Sequence, residues 1–375
     1  MTYLDHAASS PLLPEVAEAM AAVQFAVGNP SSLHSSGRRR RALLEDARES
    51  IAADLGASPI EVVFTSGGTE GDNLAVLGGQ AARVARDSAR EAVVVSATEH
   101  PAVLAVSKKL PEVRVASVDD SGALNLDELD RLLDERVAVA SVMWVNNETG
   151  VIQPIDEVVA RGQAVGAWVH TDAVQAVGHL PVAFGASGLD LLSFTAHKLG
   201  GPVGIGALLV RREVAPIALG FGGSQERELR PGTSNATLAV GLAAAVRGAV
   251  GRLEAETVRL SGLRARLVDG VVGLVSGASV NGGVTSPNIV NVYVPGVRAG
   301  DVMMLLDAAG VECSTGSACH AGVPQPSDVL LAMGRTPQEA SGALRFSFGA
   351  QSTEADVDRL LAALPDAVSR AQAAF

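Results

Sequence analysis

Short apolar runs rich in β-branched residues alternate with amphipathic stretches along residues 36–211 of this chain. The stretch from Ser36 to Leu55 predicts a helix, because Leu44 and Ile51 recur with other apolar residues on one helical face. Continuous β-branched runs between helices are typical of a mainly parallel sheet that helices cover on both faces. We therefore predict an α/β fold with strands at Glu61–Thr65, Ala92–Ser96, Val113–Val118, Val137–Met143, Ala167–Thr171, Asp190–Thr195 and Gly206–Val210.

The pattern changes after residue 211 and predicts a second, smaller α/β domain. The last two predicted strands have no obvious helix between them, which allows one antiparallel strand at the edge of the sheet. An alanine-rich helical stretch runs from Asn235 to about Val268, and strand, strand, helix, short strand, helix, strand and helix follow it. We place the domain change within this long helix. Residues 13–255 then form the large domain, and residues 1–12 and 256–375 form the small one.

Composition and charge argue against several classes of protein. A content of 47% apolar and 19% charged residues is typical of a globular chain. A net charge of −12 and only 3% aromatic residues oppose direct binding to a nucleic acid. No basic and then apolar N-terminal stretch predicts a signal peptide, and no uncharged apolar run reaches the ~18 residues of a membrane span. Two cysteines cannot form a disulfide framework, so we expect a cytoplasmic protein.

Lysine is rare in this chain, and its positions are informative. Of 29 basic residues only Lys108, Lys109 and Lys198 are lysines, and arginine cannot replace a lysine as a Schiff-base amine. The adjacent pair at 108 and 109 has the pattern of a solvated helix end. Lys198 instead lies between an apolar strand and the glycine-rich residues 200–201, where burial would lower the pKa of its amine and make it nucleophilic.

A glycine turn follows the first predicted strand. Ser66, Gly67, Gly68 and Thr69 lead from the strand into a helix start, and such a turn presents free N–H groups at the positive end of the helix. The turn is therefore a candidate phosphate site. The alternative is a tight strand-to-helix turn with Thr69 as a helix cap.

Other strands end in polar residues that belong to the same sheet edge. Asp172 closes one strand, where a carboxylate faces the ligand crevice of such sheets, although helix capping is the alternative. His100 and Asn147 follow two further strands. A phosphate turn, a carboxylate and the Lys198 amine together match the needs of pyridoxal phosphate, because the carboxylate keeps the pyridine nitrogen protonated. No metal site is predicted.

The motifs as a set resemble those of a known family. The resemblance is to the cysteine desulfurases of the IscS/NifS type, within the class V, fold-type I pyridoxal-phosphate enzymes. It runs nearly end to end, and the Ser314–Cys319 stretch is its most specific part. Its other motifs are Tyr3–Ala8, Gly28–His34, Phe64–Glu70, Val145–Gly150, Thr171–Gln175, Ala196–Lys198, Arg230–Thr233 and Leu344–Gly349.

The resemblance implies a role for each site residue. Lys198 would carry the cofactor, Asp172 would pair with its pyridine nitrogen, and His100 would stack on its ring. Arg345 would bind the α-carboxylate of the substrate, together with Asn147. The remaining cofactor contacts would come from Asn147 and Gln175 at the phenolic oxygen, and from Gly68, Thr69, Thr195, His197 and, across a homodimer interface, Thr233 at the phosphate.

Cys319 would hold the sulfur. By the resemblance it takes sulfur from L-cysteine as a persulfide and passes it to an acceptor protein, such as an iron–sulfur scaffold or a thiolation enzyme. The small residues, glycine and prolines around it are typical of an exposed mobile loop. His320 stands where the family usually has threonine, and Thr195 where it usually has serine. Cys313 ends an apolar strand, Val311–Cys313, and is expected to be a small buried hydrophobe.

Three alternatives remain open on sequence. The first two are selenocysteine lyase and another class V reaction such as a small-substrate aminotransferase, and the third is a scaffold without catalysis on the same fold. An aminotransferase has no need of a nucleophilic cysteine on a loop, and a scaffold has no need of Lys198, Asp172 and Cys319 together.

Overall fold

The computed structural model describes residues 1–316 and 326–374. Its strands alternate with helices as the apolar pattern predicts, and each of the seven predicted strands is confirmed to within about two residues at its ends. The strands are β1 Thr2–Tyr3, β2 Val62–Thr65, β3 Ala92–Ser96, β4 Glu112–Ala116, β5 Val137–Ser141, β6 Trp168–Asp172, β7 Leu191–Thr195, β8 Gly206–Val210, β9 Ser279–Asn281, β10 Ile289–Tyr293, β11 Val311–Glu312 and β12 Ala343–Ser347.

Helices connect these strands and cover them. The predicted helix at 36–55 is confirmed and begins one residue earlier. The helices are α1 Pro14–Gln24, α2 Ser35–Asp54, α3 Gly68–Asn73, α4 Gly79–Arg86, α5 Pro101–Ser107, α6 Leu126–Leu132, α7 Ile155–Ala164, α8 Phe184–Ser187, α9 Ala236–Gly251, α10 Leu253–Leu274, α11 Ala299–Ala308, α12 Asp328–Ala332, α13 Pro337–Ser341 and α14 Glu354–Ala373.

The central sheet has seven strands in the order β2-β8-β7-β6-β5-β3-β4. Strands β3 to β7 run parallel to their neighbours within this group, and β8 is antiparallel to both β7 and β2. The prediction of one antiparallel strand is therefore correct, but its place at the edge is wrong. A short connection reverses the chain between β7 and β8, and β2, from earlier in the chain, pairs with the free side of β8.

Both faces of this sheet are buried. On β3, Val93 and Val95 pack on one side of the sheet and Ala92 and Val94 on the other, because successive side chains of a strand point to opposite faces. Such burial on two sides requires apolar residues at consecutive positions, which explains the continuous runs in the sequence.

A second core lies beyond the central sheet. It forms around the antiparallel sheet β12-β10-β9 and contains residues of α10, α11 and α14, together with Leu4 from the N-terminal segment. Strand β1 pairs in parallel with β11. The separate cores support the predicted division into two domains, whose boundaries remain a prediction.

The single long helix predicted from Asn235 to about Val268 is wrong. Two helices, α9 and α10, meet at Arg252 with a bend of 71°. Arg252 leaves the helical region with a ψ of 6°, and Gly248 and Gly251 weaken the last turn of α9, since glycine is a poor helix former. Among the described residues, no single helix has the length and apolar character of a membrane span; the bent pair meets these criteria only when its halves are joined.

A buried ion pair fastens the edge of the central sheet. Glu226 lies in a turn where residues 226–228 all have positive φ, an uncommon conformation for residues other than glycine. Its carboxylate binds Arg48 of α2 through two contacts of 2.9 and 3.0 Å and accepts the Phe64 N–H at 2.9 Å. The Ser234 hydroxyl donates to the same carboxylate at 3.0 Å. One carboxylate thus joins α2, β2 and the 226–234 loop.

We expect Glu226→Ala to lower the free energy of unfolding by about 3–5 kcal/mol, because Arg48 would lose its buried carboxylate and keep only the half-exposed Glu45, while the buried Phe64 N–H would lose its acceptor. Chemical denaturation measures this difference. Asp366→Ala is the matched control, since it breaks the exposed pair with Arg370 and should leave stability near the wild-type value. Equal losses in the two variants would contradict the structural role of Glu226.

Candidate functional site

A cavity of about 410 Å³ opens where the parallel strands end. Carboxyl ends of parallel strands meet at one edge of a sheet, so side chains from distant parts of the sequence converge there. The residues predicted from the sequence that line it are Gly68, Thr69, His100, Asn147, Asp172, Gln175, Thr195, His197, Lys198 and Arg345.

One predicted residue within the described chain, Thr233, does not line this cavity. Thr233 lines a separate cavity of about 190 Å³ beside Arg230 and Asn235. Cys319 lies outside the described residues, as does His320, although Ser314 and Gly316 at the start of its motif line the main cavity. Cys313 lies one residue beyond the end of β11, is partly buried against the second core, and has a pKa that burial raises to about 12.

Lys198 follows β7 in a turn of 3₁₀ helix, Ala196–Lys198. Its Nζ donates to the carbonyl oxygens of Ala7 at 2.5 Å and Ala8 at 2.6 Å. Burial and the nearby Arg345 charge lower the pKa of the Lys198 amine to about 8. A useful fraction of the amine is therefore unprotonated near neutral pH, as a nucleophile requires.

Asp172 is the last residue of β6 and is buried. Burial raises the pKa of its carboxyl, whereas the Val174 N–H, which donates at 2.9 Å, and the charges of His100 and Lys198 lower it. The residues after Asp172 form turns, so the helix-cap alternative is wrong. A carboxylate in such a place is stabilised by a cationic partner in the cavity.

The glycine turn after β2 packs closely against the residues that follow Asp172. Helix α3 begins at Gly68, and a Cβ at this position would lie 2.7 Å from Val174 Cγ2. Thr69 lines the cavity beside it. On the neighbouring β7, the Thr195 hydroxyl donates to the Ile205 carbonyl at 3.1 Å, and burial lowers the pKa of His197 to about 4. The phosphate roles of these residues remain predictions.

His100 caps the N-terminus of α5. Its Nδ1 accepts the Ala102 N–H at 3.1 Å, which places the ring proton of the neutral histidine on Nε2. Burial lowers the pKa of His100, so the neutral form is favoured. The ring can therefore donate one hydrogen bond from Nε2, and one of its nitrogens lies within 4.8 Å of a carboxylate oxygen of Asp172.

Arg345 enters the cavity from β12 of the second core. Its guanidinium is held by Asp5 Oδ1 at 2.6 Å and by the Asn147 carbonyl at 2.9 Å. Its Nε is buried and has no hydrogen-bond partner among residues 1–316 and 326–374. A planar cation fixed in this way is suited to a carboxylate ligand. On the other side, the Gln175 amide donates to the Ala7 carbonyl at 2.9 Å.

Sequence reasoning missed three acidic side chains and two carbonyl groups. Asp72 and Glu148 line the cavity, and Glu99 is buried behind it. The ligand atoms of Asp72, His100 and Asp172 all lie within 4.8 Å of one another. Helical spacing carried a signal for Asp72, which follows Gly68 by four residues and so shares its helical face. No pattern in the sequence indicates that the backbone carbonyls of residues 7 and 8 bind Lys198.

The chain is similar to known proteins over nearly its whole length. The model of the family described as "Aminotransferase class-V" matches residues 2–360, and the chain belongs to this family. It is 48% identical to an IscS-like cysteine desulfurase of Mycobacterium tuberculosis, over 100% of this chain and 98% of that protein. It is 41% identical to a cysteine desulfurase of Gluconacetobacter diazotrophicus, over 98% of this chain and 92% of that protein.

Solved structures show the same fold. A NifS-like protein matches with a TM-score of 0.91 and 34% identity, over 99% of this chain and all of that one. DndA from Streptomyces lividans matches with a TM-score of 0.78 and 36% identity, over 92% of this chain and 99% of that one. The predicted fold class is confirmed.

The class V family uses pyridoxal phosphate, and the residues of the cavity fit this cofactor. The Lys198 amine has a lowered pKa, and the buried Asp172 carboxylate would be stabilised by a cationic group such as a protonated pyridine nitrogen. At Gly68 there is no room for a side chain, so the backbone of the turn stays open to a ligand. Lys198 would hold the aldehyde carbon and Asp172 the pyridine nitrogen. The neutral ring of His100 lies close to Asp172 and could cover the cofactor ring.

We expect sodium borohydride to fix a pyridoxyl group on the peptide that contains Lys198, because this amine is buried and partly unprotonated. Peptide mass spectrometry locates the label, and Lys198→Ala should abolish it. Labelling of the peptide with Lys108 and Lys109, or of no peptide, would contradict the assignment.

Proposed function

We propose that this chain is a cysteine desulfurase that converts L-cysteine to L-alanine and holds the sulfur as a persulfide on Cys319. The observation that carries the proposal is the meeting of Lys198 and Arg345 in one cavity, whose wall includes Gly316. Cys319 is only three residues further along the chain. The full-length similarity to proteins named cysteine desulfurase supports the same function.

Substrate binding would use both cores. The guanidinium of Arg345, already oriented by Asp5 and the Asn147 carbonyl, offers its remaining N–H groups to the α-carboxylate of L-cysteine. Asn147 lines the same part of the cavity and adds a polar contact. The α-amino group would then lie towards Lys198, the reactive amine of the site.

Proton transfer falls to Lys198 and His100. Bound pyridoxal phosphate supplies an electron sink that stabilises negative charge at the substrate α-carbon. An amine with a pKa of about 8 both accepts and returns a proton near neutral pH, so Lys198 is the candidate to move the α-proton. The neutral His100 ring can bind the substrate thiol through Nε2, so His100 is the candidate to move a proton between this thiol and the reacting substrate.

The sulfur step belongs to Cys319. Its thiolate attacks the sulfur of the bound substrate, so a sulfur–sulfur bond forms as the carbon–sulfur bond breaks. A proton returned to the substrate carbon completes alanine, and the balance is L-cysteine plus thiol to L-alanine plus persulfide. Cys313 is a poor alternative nucleophile, because its raised pKa keeps it as the thiol.

The persulfide would be passed to an acceptor protein, for iron–sulfur cluster assembly or for thiolation of tRNA or another substrate. We place this reaction in the cytoplasm, where reducing conditions keep the two cysteines free. The net charge of −12 favours delivery through a protein over direct contact with a nucleic acid.

We further propose that the working enzyme is a homodimer. Thr233, implied in phosphate binding, lies in a different cavity from the other cofactor residues, as expected if it serves the site of a second subunit. The loops around residues 29–31 and 224–227 line a common groove. Phe25 and Phe221, which lie close to these loops in the sequence, are 92% and 100% exposed, and their burial in an interface would stabilise a dimer.

Sedimentation should therefore give a homodimer, and Thr233→Ala should weaken retention of pyridoxal phosphate by about tenfold, the effect of losing one hydrogen bond to a charged group. Equilibrium dialysis measures the cofactor affinity. Thr237→Ala is the control, since that hydroxyl binds Arg40 within the chain at 3.2 Å. A stable monomer with full cofactor occupancy would defeat the proposal.

Cys319→Ser should still bind L-cysteine, because binding relies on Lys198, Asp172 and Arg345, but it should release almost no sulfide. Intact mass after cysteine treatment, with and without reductant, is the measurement. A reducible adduct of one sulfur atom should appear on wild type and on the control variant Cys313→Ser, and not on Cys319→Ser.

If Cys319→Ser formed alanine at the wild-type rate, the persulfide mechanism would be wrong. Selenocysteine in competition with cysteine tests the lyase alternative, which predicts a strong preference for the selenium substrate. Pyruvate formation from alanine in place of sulfide release would identify an aminotransferase.

A further inference from the structure

Asp72 is a buried acid of the site for which the reaction above has no use. It lies in α3, is 1% exposed, and accepts a short hydrogen bond from the Ser193 hydroxyl. The Ser193 oxygen is 3.3 Å from His170 Nε2, and His170 Nδ1 is 2.8 Å from the Ser141 hydroxyl. Burial lowers the pKa of His170 to about 3, so this ring is uncharged although it lies 3.7 Å from Asp72. The side chains of this network, Ser193, His170 and Ser141, present dipoles to the Asp72 carboxyl, and none of them is a cation.

The elements packed against α3 do not change this balance. Helix α3 contacts β2, β7, β8, α5 and the π-helical turn Leu74–Gly78 that continues it, and the residues of these segments have no ionisable side chain. The titratable groups that face Asp72 from outside them, within the described chain, are Asp172, Glu99, the His100 ring and the uncharged His170 ring of β6. Burial, and then the charges of Asp172 and Glu99, raise the pKa of Asp72 well above its ordinary value.

Two carboxyl groups this close in a buried site do not both ionise. Asp172 is the one with compensating partners, because it accepts the Val174 N–H and faces both Lys198 and His100. Asp72 lacks such partners. The single negative charge therefore belongs on Asp172, and the proton on Asp72.

We propose that Asp72 is a positioning residue of the cofactor site, a neutral carboxylic acid that holds a proton beside Asp172 and so confines the negative charge to the Asp172 carboxylate. One oxygen of Asp72 accepts from Ser193, and its own O–H is free to donate towards Asp172. This inference rests on the proposed role of Asp172 at the pyridine nitrogen, because a fixed charge there is what keeps that nitrogen protonated.

The test compares Asp72→Asn, Asp72→Ala and Asp172→Asn in the full-length protein, with pyridoxal phosphate affinity as the readout. An asparagine amide reproduces the acceptor and the donor of a neutral acid, so Asp72→Asn should keep the wild-type affinity. Asp72→Ala removes the donor and should weaken binding by about tenfold. Asp172→Asn should weaken it further. An Asp72→Asn variant as weak as Asp172→Asn would overturn the proposal, as would an Asp72→Ala variant with wild-type affinity.

A pH profile gives a second readout that needs only Asp72→Asn. The unfolded Asp72 ionises above about pH 4 while the folded one stays neutral, so the wild-type protein loses stability as the pH rises through this window. The Asp72→Asn variant has no ionisable group at this position, so it does not lose stability in this way. With cofactor at saturation, the unfolding temperature of Asp72→Asn should gain on wild type as the pH rises above the ordinary carboxyl pKa of about 4. Parallel profiles would overturn the proposal.

These measurements do not depend on sulfur release. If Cys319→Ser proved active while the Asp72 variants behaved as described, the desulfurase mechanism would fail and the inference on Asp72 would stand. If the pH profiles were parallel while the persulfide formed on Cys319, the inference on Asp72 would fail and the desulfurase mechanism would stand.

Discussion

The ammonium of Lys198 donates to the carbonyl oxygens of Ala7 and Ala8. These two residues lie in the N-terminal segment, outside the seven-stranded central sheet. Two residues earlier in the same segment, Asp5 binds Arg345. One short stretch of chain therefore fixes the amine at the end of β7 and the guanidinium of β12 at the same time. The distance between the two reactive ends of the site depends on this stretch, since it binds both of them.

Charge balance is the second constraint on the cavity. Three carboxyl groups, Asp72, Glu99 and Asp172, are buried on one side of it, and burial raises the pKa of each. The cations Lys198 and Arg345 line the same cavity. Buried carboxyl groups hold few net charges, so each proton has a defined place. Cofactor chemistry gains from this, because charges that are already fixed in place need no reorganisation during the reaction.

The sequence predicted the strands well because burial on both faces demands unbroken apolar runs, which are easy to read. It placed β8 at the edge wrongly, since strand order depends on pairing between distant segments such as β2. The break at Arg252 was missed because the helical pattern continues across it. In the site, Lys198 and Asp172 stood out by their position at strand ends. Asp72 did not, because only folding brings it beside Asp172.

The pairing of β1 with β11 has a consequence for synthesis of the protein. Thr2 and Tyr3 pair with Val311 and Glu312, and Leu4 is buried in a core built largely from residues after 260. A growing chain on the ribosome can complete the seven-stranded sheet while its first residues still wait for a partner. Contacts of such long sequence separation form late and slowly. The carbonyl groups of Ala7 and Ala8 therefore bind Lys198 only when translation has almost ended. Until then the N-terminal strand is exposed to chaperones.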